Sequence, residues 1–159
     1  MSESTASLPV NAIDVPVRTA VSFYPEPFAS RMKGRQKRQL GEFFGLKNFG
    51  VNLTRLAPDT ISSLRHAHSK QDEFVYIVEG NPTLRTNEGS VRLSPGMCVG
   101  FRAGTGNGHQ LHNATTDDVL YLEIGDRTAG DEVIYPDDDI RLIRQDAKAV
   151  YVHKDGSPY

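Results

Sequence analysis

The stretch "RHAHSKQDEFVYIVEG", residues 65–80, sets His66 and His68 one residue apart and places a carboxylate, Glu73, five positions after the second. In an extended chain residues i and i+2 project to the same face. The two imidazoles therefore lie side by side, and Ala67 points away. "SKQD" reads as a turn, after which Glu73 opens a strand returning beside the histidines. Two imidazole nitrogens and one carboxylate oxygen on one face form a donor set for Fe, Mn, Ni, Zn or Cu. The plainer reading is three solvated polar side chains beside a turn, and a lone His-x-His pair would favour it. A second stretch, "GTGNGHQLHN" at 104–113, offers a fourth donor. His109 opens another apparent strand there, after three glycines and Asn107 that suit a tight, irregular approach. His112 is three residues further on and faces the other way. We assign His109 to the group, and metal binding becomes the stronger reading.

Strands must position these side chains. From residue 49 short apolar stretches recur between turn residues. "FGVNLTRLAP" alternates until Pro58-Asp59 breaks it, with Val51, Leu53 and Arg55 on one face. "EFVYIV" is apolar on both faces, which predicts burial on both sides. "TLRT" and "SVRL" flank "NEG" as a hairpin, and "MCVGF" and "VLYLEIG" continue the series. Short strands with turns every eight to twelve residues predict an all-β sandwich or barrel. Residues 1–45 read as an extended arm, with four prolines by residue 27, followed by one short helix. Residues 46–130 read as the barrel, and 131–159 as a C-terminal extension. In that extension "YPDDDIRLIRQDAK" offers aspartate caps and Ile140 and Ile143 at helical spacing, which predicts a short helix. "AVYVH" reads as one more strand.

The chain has 159 residues, the length of one ordinary domain. Its 38% apolar and 24% charged residues give the balance of a soluble protein that folds without staples. Cys98 has no partner cysteine for an internal bridge, which favours a reducing compartment. With no secretory pattern at the N-terminus and no apolar run near the ~20 residues of a membrane span, the expectation is a cytoplasmic protein without a membrane partner. The formal net charge of −2 gives no general attraction for nucleic acid. Residues 31–38, "RMKGRQKR", are locally basic. They read as a solvated loop or helix face, with contact to phosphate or to an acidic partner as the sharper alternative.

At these residues the chain resembles the cupin superfamily. His66, His68, Glu73 and Gly80 match its first motif with the four-residue gap before the glutamate, and Thr60 stands where that motif opens on glycine. Gly96, Gly104, His109 and Asn113 resemble the fixed points of the second motif. Arg102 replaces the motif's proline, and four residues instead of two separate Gly104 from His109. The resemblance implies a jelly-roll β-barrel, here with an extended N-terminal arm and a short helical C-terminal segment. It also implies one divalent transition metal (Zn, Mn, Fe or Ni) held by His66, His68, Glu73 and His109 at the barrel mouth, and a homodimer. The whole sequence is similar to small single-domain cupins, some of them labelled sugar-phosphate isomerases.

Four protein ligands leave an octahedral ion two open positions for water, substrate or dioxygen. The leading expectation is an isomerase acting on a small oxygenated metabolite, the metal polarising a carbonyl while a base moves a proton. Glu123 and Tyr121 on "LYLEIG" are the candidate acid–base groups, with His112 as a further one. Arg102, ahead of Arg55 and Lys70, is the candidate grip on a phosphate or carboxylate. Iron-dependent dioxygenation is the second reading, and a non-catalytic small-molecule-binding cupin the third. The apolar outer side of "EFVYIV" (Phe74, Tyr76, Val78) predicts a homodimer independently of the resemblance.

Overall fold

The computed structural model describes residues 8–145 and 148–159. The expectations for residues 1–7 of the arm lie outside them. Among the described residues thirteen strands are present: β1 Arg35–Gln39, β2 Phe49–Leu56, β3 Thr60–Ile61, β4 Ala67–His68, β5 Glu73–Glu79, β6 Thr83–Thr86, β7 Gly89–Arg92, β8 Cys98–Phe101, β9 Gln110–Asn113, β10 Val119–Asp126, β11 Val133–Ile134, β12 Arg141–Gln145 and β13 Lys148–Val152. One four-residue helix, α1 Leu40–Phe43, and two 3-10 turns at Ala12–Asp14 and Ala29–Met32 complete the elements.

A five-stranded sheet, β1-β2-β10-β5-β8, faces a four-stranded sheet, β3-β9-β6-β7, and every pairing is antiparallel. This is an all-β jelly-roll. Leu56, Val75, Ile77, Leu84, Leu111 and Val119 fill the space between the sheets. Each such side chain contributes about 1.5–3 kcal/mol when fully buried. A second core lies beside the first. Phe28 and Met32 from the N-terminal arm pack there with Leu64, Tyr135 and Ile140. The two ends of the chain thus meet over one mouth of the barrel.

Three sequence expectations change. The segment after Ile140 is a β-hairpin, β12 with β13, not a helix. Leu142, Ile143, Val150, Tyr151 and Val152 are strand formers, and ladder pairing outweighs the helical spacing of Ile140 and Ile143. The basic run 31–38 is not a solvated loop. Met32 and Arg35 are buried, and β1 pairs along its whole length with β2, so the sheet starts ahead of residue 46. Finally, β5 is covered on one face only: Val75 and Ile77 are buried, whereas Phe74 and Tyr76 are 39% and 40% exposed.

The motif glycine at 80 is required by its surroundings. Its φ is +79°, and a Cβ there would lie 2.5 Å from the Asp118 carbonyl oxygen. Thr60, at the position where glycine was expected, is accommodated by Gly34. The Thr60 hydroxyl occupies the place where a Gly34 Cβ would stand, at 2.5 Å. Asn113 donates to the carbonyls of Leu56 and Asp117 and accepts from Thr115, tying off the turn before β10.

Candidate metal centre

β4 carries His68, and His66 sits one step before it in an isolated bridge to His109. Reciprocal backbone bonds join the two histidines, His66 N–H to His109 O at 3.2 Å and His109 N–H to His66 O at 2.9 Å. Glu73 opens β5, as the strand reading requires. The Nε2 atoms of His109, His66 and His68 stand 2.7, 3.4 and 3.6 Å from a single oxygen, Glu73 Oε2. Ligand atoms of His66, His68 and Glu73 all lie within 4.8 Å of one another.

This geometry fits a cation. Glu73 Oε2 is buried and makes no well-aligned hydrogen bond among the described residues, although three ring nitrogens face it. Donor atoms sharing an ion at about 2.0–2.2 Å stand roughly 3 Å apart, and these separations match. The ring tautomers are set from behind. His66 Nδ1 lies 2.9 Å from the Leu64 carbonyl, and His68 Nδ1 lies 2.5 Å from Asp131 Oδ2. Both nitrogens are thereby assigned the proton, which leaves the Nε2 lone pairs pointing inward. His109 has no such partner among the described residues; its ring stacks on Phe101 at 3.6 Å with 5° between planes. Burial alone would raise the Glu73 carboxyl, but His109 and His66 hold it well below the usual carboxylate range. The group His66, His68 and Glu73 can therefore hold a metal ion.

The donors open into a cavity of about 270 Å³ whose wall includes Tyr121, Glu123, Arg35 and Lys37. β10 alternates, so Tyr121 and Glu123 turn inward together. Tyr121 is 1% exposed, and its hydroxyl has no hydrogen-bond partner among the described residues. Burial, reinforced by the Glu123 charge, pushes that hydroxyl well above its ordinary value. Glu123 Oε1 is ion-paired to Lys37 and accepts from Asn52 Nδ2 at 3.0 Å. Tyr24, Tyr135 and Tyr151 form a ring cluster on the same wall, with centroids 5.3–6.5 Å apart.

Arg102 stands apart. Phe101 turns inward onto His109, so the next residue turns out; Arg102 is exposed and borders not this cavity but a small recess that it shares with His68, Glu73 and His109. Arg55 pairs with Asp118 outside the cavity, and the half-buried His112 pairs with Asp59 at 3.3 Å. Asp131 and the three tyrosines were missed by sequence reasoning, and Arg35 and Lys37 were not singled out within the basic run whose sharper reading was contact to phosphate or an acidic partner. The signal available was the alternation of Arg35 and Lys37, which five cations in eight residues obscured.

The family model for the cupin domain matches residues 52–125. A sugar phosphate isomerase from a cupin superfamily, from Silicibacter pomeroyi, is 38% identical, with 96% of each chain covered and a TM-score of 0.88. The chain is a member of the cupin superfamily. An inferred sugar phosphate isomerase from Acidithiobacillus ferrooxidans is 30% identical to this cupin over 79% of this chain and 80% of its own, with a TM-score of 0.70. The polyketide cyclase RemF from Streptomyces resistomycificus shares the fold at 17% identity, covering 75% and 78% of the two chains, with a TM-score of 0.61. No curated protein sequence matches the chain.

Proposed function

We propose that this cupin is a metal-dependent enzyme acting on a small oxygenated metabolite such as a sugar phosphate, in a reaction of isomerase type. His66, His68, Glu73 and His109 would hold one divalent transition ion (Zn, Mn, Fe or Ni). Bound there, it supplies Lewis acidity toward a carbonyl or hydroxyl oxygen. The observation that carries the reading is that the donor set shares one cavity with an inward acid–base pair, Tyr121 and Glu123. The likeness to the Silicibacter protein over nearly the whole chain supports it.

The chain's own groups divide the remaining work. Glu123 is the base that takes a proton from substrate, with Lys37 compensating its charge and Asn52 fixing its orientation. Tyr121 keeps its proton through neutral pH because its hydroxyl is shifted upward, so it acts as a hydrogen-bond donor to a substrate oxygen. The aromatic cluster from the two chain ends keeps bulk water from the chamber. Two copies associate through the uncovered outer face of β5.

Elemental analysis of untagged protein purified without chelator tests the centre, and NMR of aldose- and ketose-phosphate mixtures tests the reaction. The expected result is one transition ion per chain, affinity reduced at least tenfold by Glu73→Gln, and interconversion lost in Glu123→Gln with the metal retained. A chain that takes up no ion overturns the metal centre. A loaded chain that turns over no sugar phosphate overturns the isomerase, and iron with dioxygen uptake replaces it with a dioxygenase.

A further inference from the structure

Arg35 is 7% exposed, on β1, and lines the chamber. Its Nη1 donates to the Ser62 carbonyl and its Nη2 to the Val21 carbonyl at 2.5 Å. Its Nε is buried and donates to nothing among the described residues. Among those residues no carboxylate lies within 4.0 Å of the guanidinium, whereas Lys37, two positions along the same strand face, is matched by Glu123. One inward cation is thus neutralised by the chain and the other is not. A buried charge without a counter-charge is rare unless something else supplies one.

We infer that Arg35 anchors an oxyanion, a carboxylate or phosphate group carried by the ligand, in the chamber that the metal donors share. This rests on the reading of that chamber as the substrate site. The two carbonyl contacts fix the guanidinium plane. The Nε–H and the remaining Nη protons are left as a planar fork, the shape that receives two oxygens of one anion. Tyr24, Tyr121 and Tyr151 line the same chamber. Burial raises their hydroxyls, that of Tyr24 to about 12, and the Arg35 charge pulls each back. They are neutral donors, suited to the anion's other oxygens. Arg102, the grip expected from sequence, does not line this chamber.

Isothermal titration of the full chain, metal-free and metal-loaded, tests this with glycolate, inorganic phosphate and uncharged glycerol as probes. One saturable site for glycolate or phosphate is expected, with none for glycerol. Arg35→Gln should weaken anion binding at least tenfold, and Arg55→Gln on the outer face should leave it unchanged. Glycolate alone assigns a carboxylate ligand, phosphate alone a phosphate ester, and both the shared chemistry. Because Arg35 also braces two carbonyls, NMR of its Nε–H in the unmutated chain gives a second readout, a shift that saturates with the anion. Binding of neither anion, unchanged affinity in a folded Arg35→Gln chain, or an unmoved Nε–H at saturation overturns the inference. Metal content of the same samples separates the two readings. A chain that loads metal but takes up neither anion overturns the Arg35 assignment alone, and a chain that binds the anion but cannot be loaded with any transition ion overturns the metal centre alone.

Discussion

His68 shows how much a single side chain depends on a residue far along the sequence. Its Nδ1 faces Asp131, whose other oxygen accepts the backbone N–H groups of Lys70 and Gln71 at 2.7 and 3.1 Å. Asp131→Asn keeps an acceptor for those backbone groups and removes the charge behind the imidazole. Such outer partners are worth about 10- to 100-fold in metal affinity. A drop of that size is expected in competition titrations against a chromophoric chelator, with the fold intact by circular dichroism. His66, His68 and Glu73 were legible in the sequence, because two-residue alternation and a short turn are local rules; His109 was read from the second, Gly-rich stretch. Asp131 was not, because only the pairing of β4 with β11 brings it to His68.

The elements around the mouth are laced by three successive aspartates, read from sequence as helix caps. Asp138 pairs with Arg31 and Asp139 with His153, while Asp137 receives two parallel bonds from Arg65, at 2.7 and 2.8 Å. Arg65 also bonds Asn87 and the Gly108 carbonyl at 3.3 Å, so this one clamp fixes the residues preceding both His66 and His109. Asn107 pins the inserted loop to the β6–β7 turn through Glu88 and Asn87, which explains how a longer spacing still delivers His109. Arg65 holds the Asp137 carboxyl below its ordinary value. A carboxyl depressed in the folded state stabilises above its unfolded value of about 3.9 and loses that contribution as pH falls further. Asp137→Asn should therefore cost about 1 kcal/mol near neutrality, a modest figure because the pair is partly solvated. The gap between the two proteins in urea denaturation should hold constant to about pH 5 and close below about pH 4. A gap that widens on acidification would contradict the clamp. The hairpin that replaced the expected helix belongs to the same scale: its second strand was legible as "AVYVH", but it is the pairing with that strand that decides β12, which the spacing of Ile140 and Ile143 does not register.

For the whole molecule, the exposed face of β5 continues onto Leu122 and Ile124, which are only half-covered by the chain's own elements. Light scattering at micromolar concentration should give twice the chain mass, and Phe74→Glu should halve it. A single-chain mass for the unmutated protein would remove the dimer. The barrel was legible because its strands are short and punctuated by turns. The chamber was not, because its walls come from opposite termini and meet only when the two small cores pack together.

That wall has a modular corollary. The stretch matched by the cupin model, 52–125, contains the donors, Tyr121 and Glu123, but Tyr24, Arg35, Lys37, Tyr135 and Tyr151 all fall outside it. The proposed reactive groups and the proposed anion anchor thus lie on separate segments. If the Arg35 assignment holds, grafting both terminal segments onto another cupin barrel should carry the anion site with them, which the same titration would read.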